Sequence, residues 1–517
     1  MSEHEEFMEE TRTSEGDVQS APSPDSRQSR GAKARRGPRA VQYDAVVVGS
    51  GPNGLVAAIT LAEAGLSTLV FEADSIPGGG TRTAELTLPL FRHDVCSSVH
   101  PLGIGSPVLS RLLHEVEWVQ PPAAVAHPFE DGSAVTLERT LLDTAAQLGR
   151  DAKAYQRLMS PFVAQFEELV PMILGPARIP SSPLLLARFG MRALWSMEAL
   201  ARMSFREPRA AALVAGIAAH SMLRLDAVSS SAIGIVLGAA GHAVGWPLAR
   251  GGSQSIADAL IRKLKSLGGE VVTGVRVRSL AELPAASAYL FDVSPRQLVE
   301  IAGSRFSSSY RRRLERFRYG PGVFKIDYAM SGPIPWRNPA CARAATVHLG
   351  GTLENIARSE RSVHEGKLSD RPYVLLVQPT LFDPGRAPKG GHIAWAYCHV
   401  PRGSSVDAHR SIETEIERYA PGFRDFVLAR SQRTAVDMEA YNPNYVGGDI
   451  NGGEASLTQL FTRPVARIDP YATPARDIFL CSASAPPGGG VHGMCGYWAA
   501  RSALAHVFDR KPAFEVG

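Results

Sequence analysis

Cysteine is scarce in this chain, which has only five in 517 residues: Cys96, Cys341, Cys398, Cys481 and Cys495. The number is odd and no two cysteines have CxxC spacing. This pattern argues against a disulfide framework, a structural zinc site and a redox-active dithiol. A reduced, intracellular and therefore cytoplasmic setting is expected.

Other absences exclude further classes of protein. The net charge is only +4 and aromatic residues make up 7%, so nothing indicates a nucleic-acid partner. The acidic N-terminus is not followed by an apolar segment, which disfavours a signal peptide. No strongly apolar run reaches about 18 residues, and the nearest candidate, residues 229–249, predicts a buried helix pair. We expect no transmembrane segment, with peripheral membrane contact left open. Metal-ligand spacing is also missing, so no metal is expected.

Composition predicts a disordered tail over residues 1–42, which are polar and rich in Ser, Glu, Arg and Pro. Order is expected to begin at Tyr43. A β-branched strand, a glycine turn, an Ala-rich helix and a second strand follow within about thirty residues, as in a β-α-β unit. From about Val116 to Gly245 the pattern is mostly helical. Short strands are expected at 269–272 and 275–277, and one more strand and a helix follow Arg476.

The glycine turn carries the clearest chemistry. Gly49-Ser-Gly51-Pro-Asn-Gly54 stands between a strand and a helix, and the acid Glu72 ends the next strand. In such a turn the first glycine permits the tight bend, the second admits a pyrophosphate, and the third allows close packing of helix on strand. An acid at the position of Glu72 accepts hydrogen bonds from ribose hydroxyls. The motif predicts a dinucleotide site, without choosing between NAD and FAD.

Two further glycine segments resemble those of the FAD-dependent amine oxidase and phytoene desaturase superfamily. The first is Pro77-Gly-Gly79-Gly80-Thr-Arg82. The second is Pro486-Pro-Gly-Gly489-Gly490-Val491-His492-Gly493, which follows a predicted strand. The resemblance covers nearly everything after Tyr43 and is strongest to the phytoene-dehydrogenase-like branch, which includes pyridine nucleotide-disulphide oxidoreductase domain-containing proteins. It implies that FAD is the cofactor. Arg82 stands later than in the commonest form of the motif, so its role near the phosphates is open.

The same resemblance implies an α/β fold: a Rossmann-type, glutathione-reductase-like FAD-binding lobe with an inserted mixed α+β substrate lobe. The FAD lobe would comprise residues 43–115, 246–310 and 456–517, and the substrate lobe residues 116–245 and 311–455. The backbone of Val277 would contact the adenine. Gly489, Gly490 and Val491 would receive the flavin's pyrimidine edge.

Two residues are candidates for catalysis. Lys325 lies in a predicted strand that is similar to the one whose lysine holds a water against flavin N5 in amine oxidases. A buried lysine would have a lowered pKa and could move protons; the alternative is a lysine that reaches solvent or pairs with a carboxylate. His492 follows the last glycine run and could lie near the ring or could pack at a helix start. His242, Trp246 and the turn-rich loop 441–453 are candidates for the pocket wall.

Three functions remain open at this point. A dehydrogenase or desaturase acting on an organic, apolar small molecule fits the C-terminal motif, and a flavin amine oxidase fits the strand of Lys325. An FAD-binding regulator without robust catalysis is the third. An apolar tunnel would favour the first, an aromatic cage the second and a sealed flavin the third. The substrate, the electron acceptor and the oligomeric state are not predicted.

Overall fold

The structure is a computed structural model that describes residues 42–516. The expected tail therefore falls outside the described residues, apart from residue 42. The strands are β1 (Tyr43–Val48), β2 (Thr68–Phe71), β3 (Thr83–Glu85), β4 (Arg92–Asp94), β5 (Trp118–Val119), β6 (Ala123–Pro128), β7 (Ala134–Glu138), β8 (Leu248–Ala249), β9 (Glu270–Val272), β10 (Ala286–Phe291), β11 (Gly322–Met330), β12 (Ala344–Leu349), β13 (Val374–Val377), β14 (His392–Val400), β15 (Val427–Arg433) and β16 (Ile478–Leu480).

The α-helices follow the same numbering along the chain. They are α1 (Pro52–Glu63), α2 (Pro101–Gly105), α3 (Leu109–Leu112), α4 (Leu141–Ala146), α5 (Ala152–Ala164), α6 (Phe166–Ile173), α7 (Pro183–Ala193), α8 (Met197–Ser204), α9 (Pro208–Ala218), α10 (Ser230–Ala243), α11 (Gln254–Ser266), α12 (Pro295–Ala302), α13 (Ser308–Glu315), α14 (Leu353–His364), α15 (His409–Tyr419), α16 (Ala435–Tyr441), α17 (Leu457–Thr462) and α18 (Met494–Ala503). None of the helices in residues 42–516 is long and apolar enough to cross a membrane.

A parallel five-stranded sheet in the order β16-β10-β1-β2-β9 confirms the Rossmann-like part of the fold. Its β-branched strand β1 is buried on both faces, as is typical of a parallel sheet. Val48 pairs with both Phe71 and Phe291, and Phe291 pairs with Leu480. Four neighbouring strands therefore end at the same level, and the residues that follow them meet at one edge.

The second large sheet is mixed and has seven strands in the order β15-β11-β14-β13-β12-β6-β7. Helices α5 to α10 follow its strand β7 in the chain. Strands β6 and β12 are parallel and the other pairs are antiparallel. All strands of each sheet come from the segments expected for the FAD and substrate lobes. The lobe boundaries themselves stay a prediction.

Two local predictions were wrong. Residues 275–277 are irregular and not a strand, because pairing of β2 with β9 ends at Val272. Residues 229–249 form the single helix α10 followed by the short strand β8, not a helix pair. The stretch from Val116 to Gly245 is mostly helical as expected, with α4 to α10, and it also contains β5, β6 and β7. The Ala-rich sequence of β6 has weak strand propensity, and pairing on both edges determines its conformation.

The packing of α1 against α18 generates a prediction. A Cβ atom on Gly496 would lie 1.8 Å from the carbonyl oxygen of Asn53, so Gly496→Ala must push the two helices apart. We expect a lower denaturation midpoint, with a loss on the order of the 1–3 kcal/mol typical of overpacking. The control is Gly190→Ala in α7, where a Cβ atom would meet nothing within 4 Å. That substitution should leave the midpoint unchanged or raise it, because Ala favours a helix by roughly 0.5–1 kcal/mol over Gly. Equal midpoints for the two variants would contradict this packing.

Candidate active site

The first glycine turn joins β1 to α1 by direct backbone contact. Gly49 has φ +103°, and a Cβ atom on Gly54 would lie 2.1 Å from the Gly49 carbonyl oxygen. Pro52 begins α1 and has no N–H to leave unpaired. The start of α1, where N–H groups and the helix dipole favour an anion, therefore opens into a cavity that Gly49 and Gly51 line.

Glu72 connects the first glycine turn to the second. One of its oxygens accepts hydrogen bonds from the Ser50 amide (3.0 Å) and hydroxyl (2.5 Å). The other accepts from the Asp74 amide (2.9 Å) and from Arg82 Nη2 (3.0 Å). Glu72 also lines the cavity, so its predicted bond to a ribose would be made by a carboxylate that is already held in place on both oxygens.

Arg82 is buried behind this carboxylate. Its Nη1 lies 3.0 Å from an Asp74 oxygen, and its Nε donates to the Ile76 carbonyl. Burial lowers the pKa of Arg82, but Tyr441 and the two carboxylates outweigh it and the net pKa is raised. The guanidinium stays charged and orders the turn through Glu72; it also lines the cavity.

The second glycine turn packs on the first. A Cβ atom on Gly79 would lie 3.1 Å from the Gly51 Cα, and one on Gly80 would lie 2.6 Å from the Tyr445 hydroxyl. Both glycines line the cavity. Val277 also lines the cavity and belongs to the irregular segment that is anchored by a bond from the Val275 amide to the Glu72 carbonyl. The residues predicted for the adenine, ribose and phosphates thus line one cavity.

The C-terminal glycine turn supplies a further wall. Gly489, Gly490 and Val491 line the cavity where α18 begins. Arg463, which sequence reasoning did not place, also lines it and donates to the Gly452 carbonyl (3.1 Å). Arg463 forms no ion pair among the described residues, and burial lowers its pKa.

His492 lies behind this turn, and the cavity wall formed by the described residues does not include it. Its Nδ1 accepts the Met494 amide of α18 (3.1 Å), and its carbonyl accepts the Ser106 hydroxyl (2.6 Å). Burial lowers the pKa of His492 to about 4, so the ring is neutral. This geometry supports helix capping, and the catalytic role of His492 stays a prediction.

Lys325 is buried on β11 beside the cavity. Its Nζ donates to Asp327 Oδ1 (2.5 Å) and lies 5.1 Å from the centroid of the Trp395 ring, which lines the cavity. His93 Nδ1 lies 3.6 Å from the same Asp327 oxygen. Burial lowers the pKa of Lys325, although Asp327 opposes the shift. The lysine pairs with a carboxylate and reaches the cavity wall through Trp395.

Beyond the glycine turns the cavity, about 570 Å³ in volume, continues into a chamber with apolar and aromatic walls. The chamber residues are Leu102, His220, Met222, Ile233, Val236, Leu237, Trp246, Leu375, Trp395 and Tyr397. Burial and His399 lower the pKa of His220 to about 3, so this imidazole is neutral too. The predicted wall residue Trp246 is present, whereas His242 bonds to the Tyr155 hydroxyl (2.8 Å) away from the wall. Parts of the loop 441–453 line the cavity as expected.

Comparison with known proteins agrees with this architecture. The family of NAD(P)-binding Rossmann-like domains matches residues 47–116. The mouse protein "Pyridine nucleotide-disulfide oxidoreductase domain-containing protein 2" is 26% identical, with 93% of this chain and 95% of the mouse chain covered. The sequence resemblance to a branch that includes such proteins is confirmed. All five cysteines are free thiols in the described residues.

Two solved structures share the fold. An oxidoreductase from Methanosarcina mazei has a TM-score of 0.62 at 16% identity, with 89% of this chain and 99% of that chain covered. Putrescine oxidase bound to putrescine has a TM-score of 0.59 at 17% identity, with 90% and 99% covered. These likenesses confirm an α/β fold of the kind found in amine oxidases.

Proposed function

We propose that this chain is an oxidoreductase that binds FAD along the glycine turns and oxidises a C–H bond of an uncharged, apolar organic molecule. One observation carries the proposal: a single cavity joins the phosphate-binding turn to an apolar chamber. Such a cavity gives a substrate a route to the cofactor. An FAD-binding regulator with a sealed flavin would not need this route. The fold neighbours, named as an oxidoreductase and an oxidase, support this class of reaction.

The part of the cavity lined by the glycine turns fits an extended dinucleotide. Glycines at 49, 51 and 79 line the cavity without side chains, which would let phosphates approach the backbone, and Glu72, which lines the same cavity, would bind the ribose. Helix α1 begins at this cavity, so the partial positive charge of its N-terminus faces the space where the phosphates would lie. FAD, when bound, would accept two electrons from the substrate. The protein would bind, orient and exclude water.

Charge is distributed unequally along the cavity. Its acids are Glu72, Asp74 and Asp292, which all lie at the glycine turns. Its described arginines are Arg82 at the second glycine turn, Arg276 beside Val277 and Arg463 at the C-terminal turn. The chamber walls have no carboxylate, so a second ammonium group of a diamine would be buried without a partner, at a cost of several kcal/mol. This distribution favours an uncharged substrate over a diamine.

A second candidate is oxidation of a monoamine. Trp395 and Tyr397 stack with ring centroids 5.8 Å apart and an interplanar angle of 15°, and both line the chamber. Aromatic faces of this kind attract an amine. Lys325 lies behind Trp395, and its strand resembles the lysine-containing strand of amine oxidases. The dehydrogenase proposal ranks first because most of the remaining wall residues are aliphatic.

Gly51→Val tests the cofactor site. A Cβ atom there would already lie 2.6 Å from Asp292 Oδ2, so the valine must push into the turn that faces the phosphates. The wild-type protein should purify yellow with one FAD and no FMN, and the variant should lose the flavin absorbance. Gly190→Ala is the matched control and should retain FAD. Full flavin occupancy in a folded Gly51→Val protein would show that the site lies elsewhere.

Anaerobic titration tests the substrate class. Neutral apolar compounds should bleach the flavin absorbance, whereas putrescine should not, because the chamber offers no carboxylate. Val236→Trp fills the chamber wall and should abolish bleaching by substrate while photochemical reduction of the flavin stays intact. Efficient bleaching by putrescine would refute the apolar-substrate proposal, and bleaching by monoamines alone would favour the second candidate.

Lys325→Met tests whether Lys325 takes part in the reaction and not in FAD binding. FAD should stay bound, because Lys325 is not part of the glycine turns. If Lys325 moves a proton, one half-reaction should slow by about 10²–10⁴-fold, the usual loss for a proton-transfer group; we expect this in flavin reoxidation. Stopped-flow traces of reduction and reoxidation measure the two halves, and Lys263→Met on the surface of α11 is the control. Unchanged rates in both halves would make Lys325 a structural residue.

A further inference from the structure

A buried carboxylic acid lies directly under the phosphate-binding turn. Asp292 follows β10 and is only 7% exposed. Its Oδ2 accepts the Gly54 amide (3.0 Å), and a Cβ atom on Gly51 would lie 2.6 Å from the same oxygen. Asp292 also lines the cavity. Neither glycine motif contains this residue, so the turn has a component that the motifs do not reveal.

The surroundings of Asp292 oppose a negative charge. No cation pairs with it in residues 42–516. The titratable groups that act on it are the Glu72 carboxylate from the end of β2, the Cys481 thiol after β16 and the Cys495 thiol of α18. Burial and then Glu72 raise the pKa of Asp292 to about 7, although the Gly54 amide opposes the shift.

A pyrophosphate at the start of α1 would add negative charge beside this acid. Of the first amides there, Pro52 has none and that of Gly54 already donates to Asp292. An ionised Asp292 would therefore repel the phosphates of the cofactor, and it would hold the Gly54 amide, one of the donors that could bind them. A neutral Asp292 would remove the repulsion and offer an O–H group to the cavity.

We propose that Asp292 is a cofactor-binding residue that takes part in its neutral form, so that FAD binding takes up one proton from solvent onto the Asp292 carboxylate. This inference rests on the proposed FAD site but not on the proposed substrate. Because binding favours the protonated acid, affinity is fully present below the pKa of free Asp292 and falls as pH rises through it. At higher pH the dissociation constant should rise toward tenfold per pH unit.

The experiment measures FAD binding to deflavinated full-length protein between pH 6 and pH 9. Calorimetry in buffers of different ionisation enthalpy gives the number of protons taken up. Wild type should approach one proton per FAD at pH 8, with a dissociation constant that rises with pH. Asp292→Asn keeps the size and an N–H donor without the charge, so its dissociation constant should be nearly independent of pH and its proton uptake near zero.

Asp258→Asn, an exposed change on α11, is the control and should keep the wild-type pH dependence. Proton uptake near zero in wild type would overturn the proposal without any variant, even if Asp292→Asn failed to fold. Equal pH slopes in wild type and Asp292→Asn would also overturn it. Absence of FAD binding at every pH would instead refute the proposed cofactor site, while a failed substrate titration would leave this inference standing.

Discussion

The site depends on a steric constraint between three backbone segments. A Cβ atom on Gly54 would lie 2.1 Å from Gly49 O, and one on Gly496 would lie 1.8 Å from Asn53 O. Only glycine at these positions lets α1 touch both the end of β1 and the start of α18. The start of α1 then faces the cavity, and its partial positive charge favours an anion there. This contribution follows from backbone packing, and Arg82, Arg276 and Arg463 add basic side chains to the cavity wall.

Strand register then determines which side chains reach that cavity. Because Val48, Phe71 and Phe291 pair across the parallel sheet, Gly49, Glu72 and Asp292 lie side by side at its carboxyl edge. Ligands of open α/β sheets bind at this edge. The two acids differ in their partners. Glu72 has Arg82 and the Ser50 hydroxyl, whereas Asp292 has a single amide. Neighbouring acids at one sheet edge therefore differ in their surroundings, and burial together with Glu72 raises the pKa of Asp292 to about 7.

The glycine turns and the parallel sheet could be predicted from the sequence because each depends on a local pattern. Gly49 and Gly79 need positive φ, and a short β-branched run reads as a buried strand. Asp292 could not be found in this way, since its partner Gly54 lies 238 residues away. The same holds for Trp395 and His220, which long-range packing brings to one chamber. Strand β6 was missed because its alanines become a strand only through β7 and β12.

Burial determines which partner Lys325 has and what charge it offers to the cavity. The strand pattern placed it correctly in the sheet, and the structure shows the alternative in which it pairs with a carboxylate, that of Asp327 two residues along the same strand. Since this pair neutralises itself behind Trp395, the lysine offers no fixed charge to the chamber. The polar side chains of the chamber include His220 and Tyr397. The likeness to putrescine oxidase therefore concerns the fold, and the proposed preference for a molecule without a second charge rests on the chamber walls of this chain.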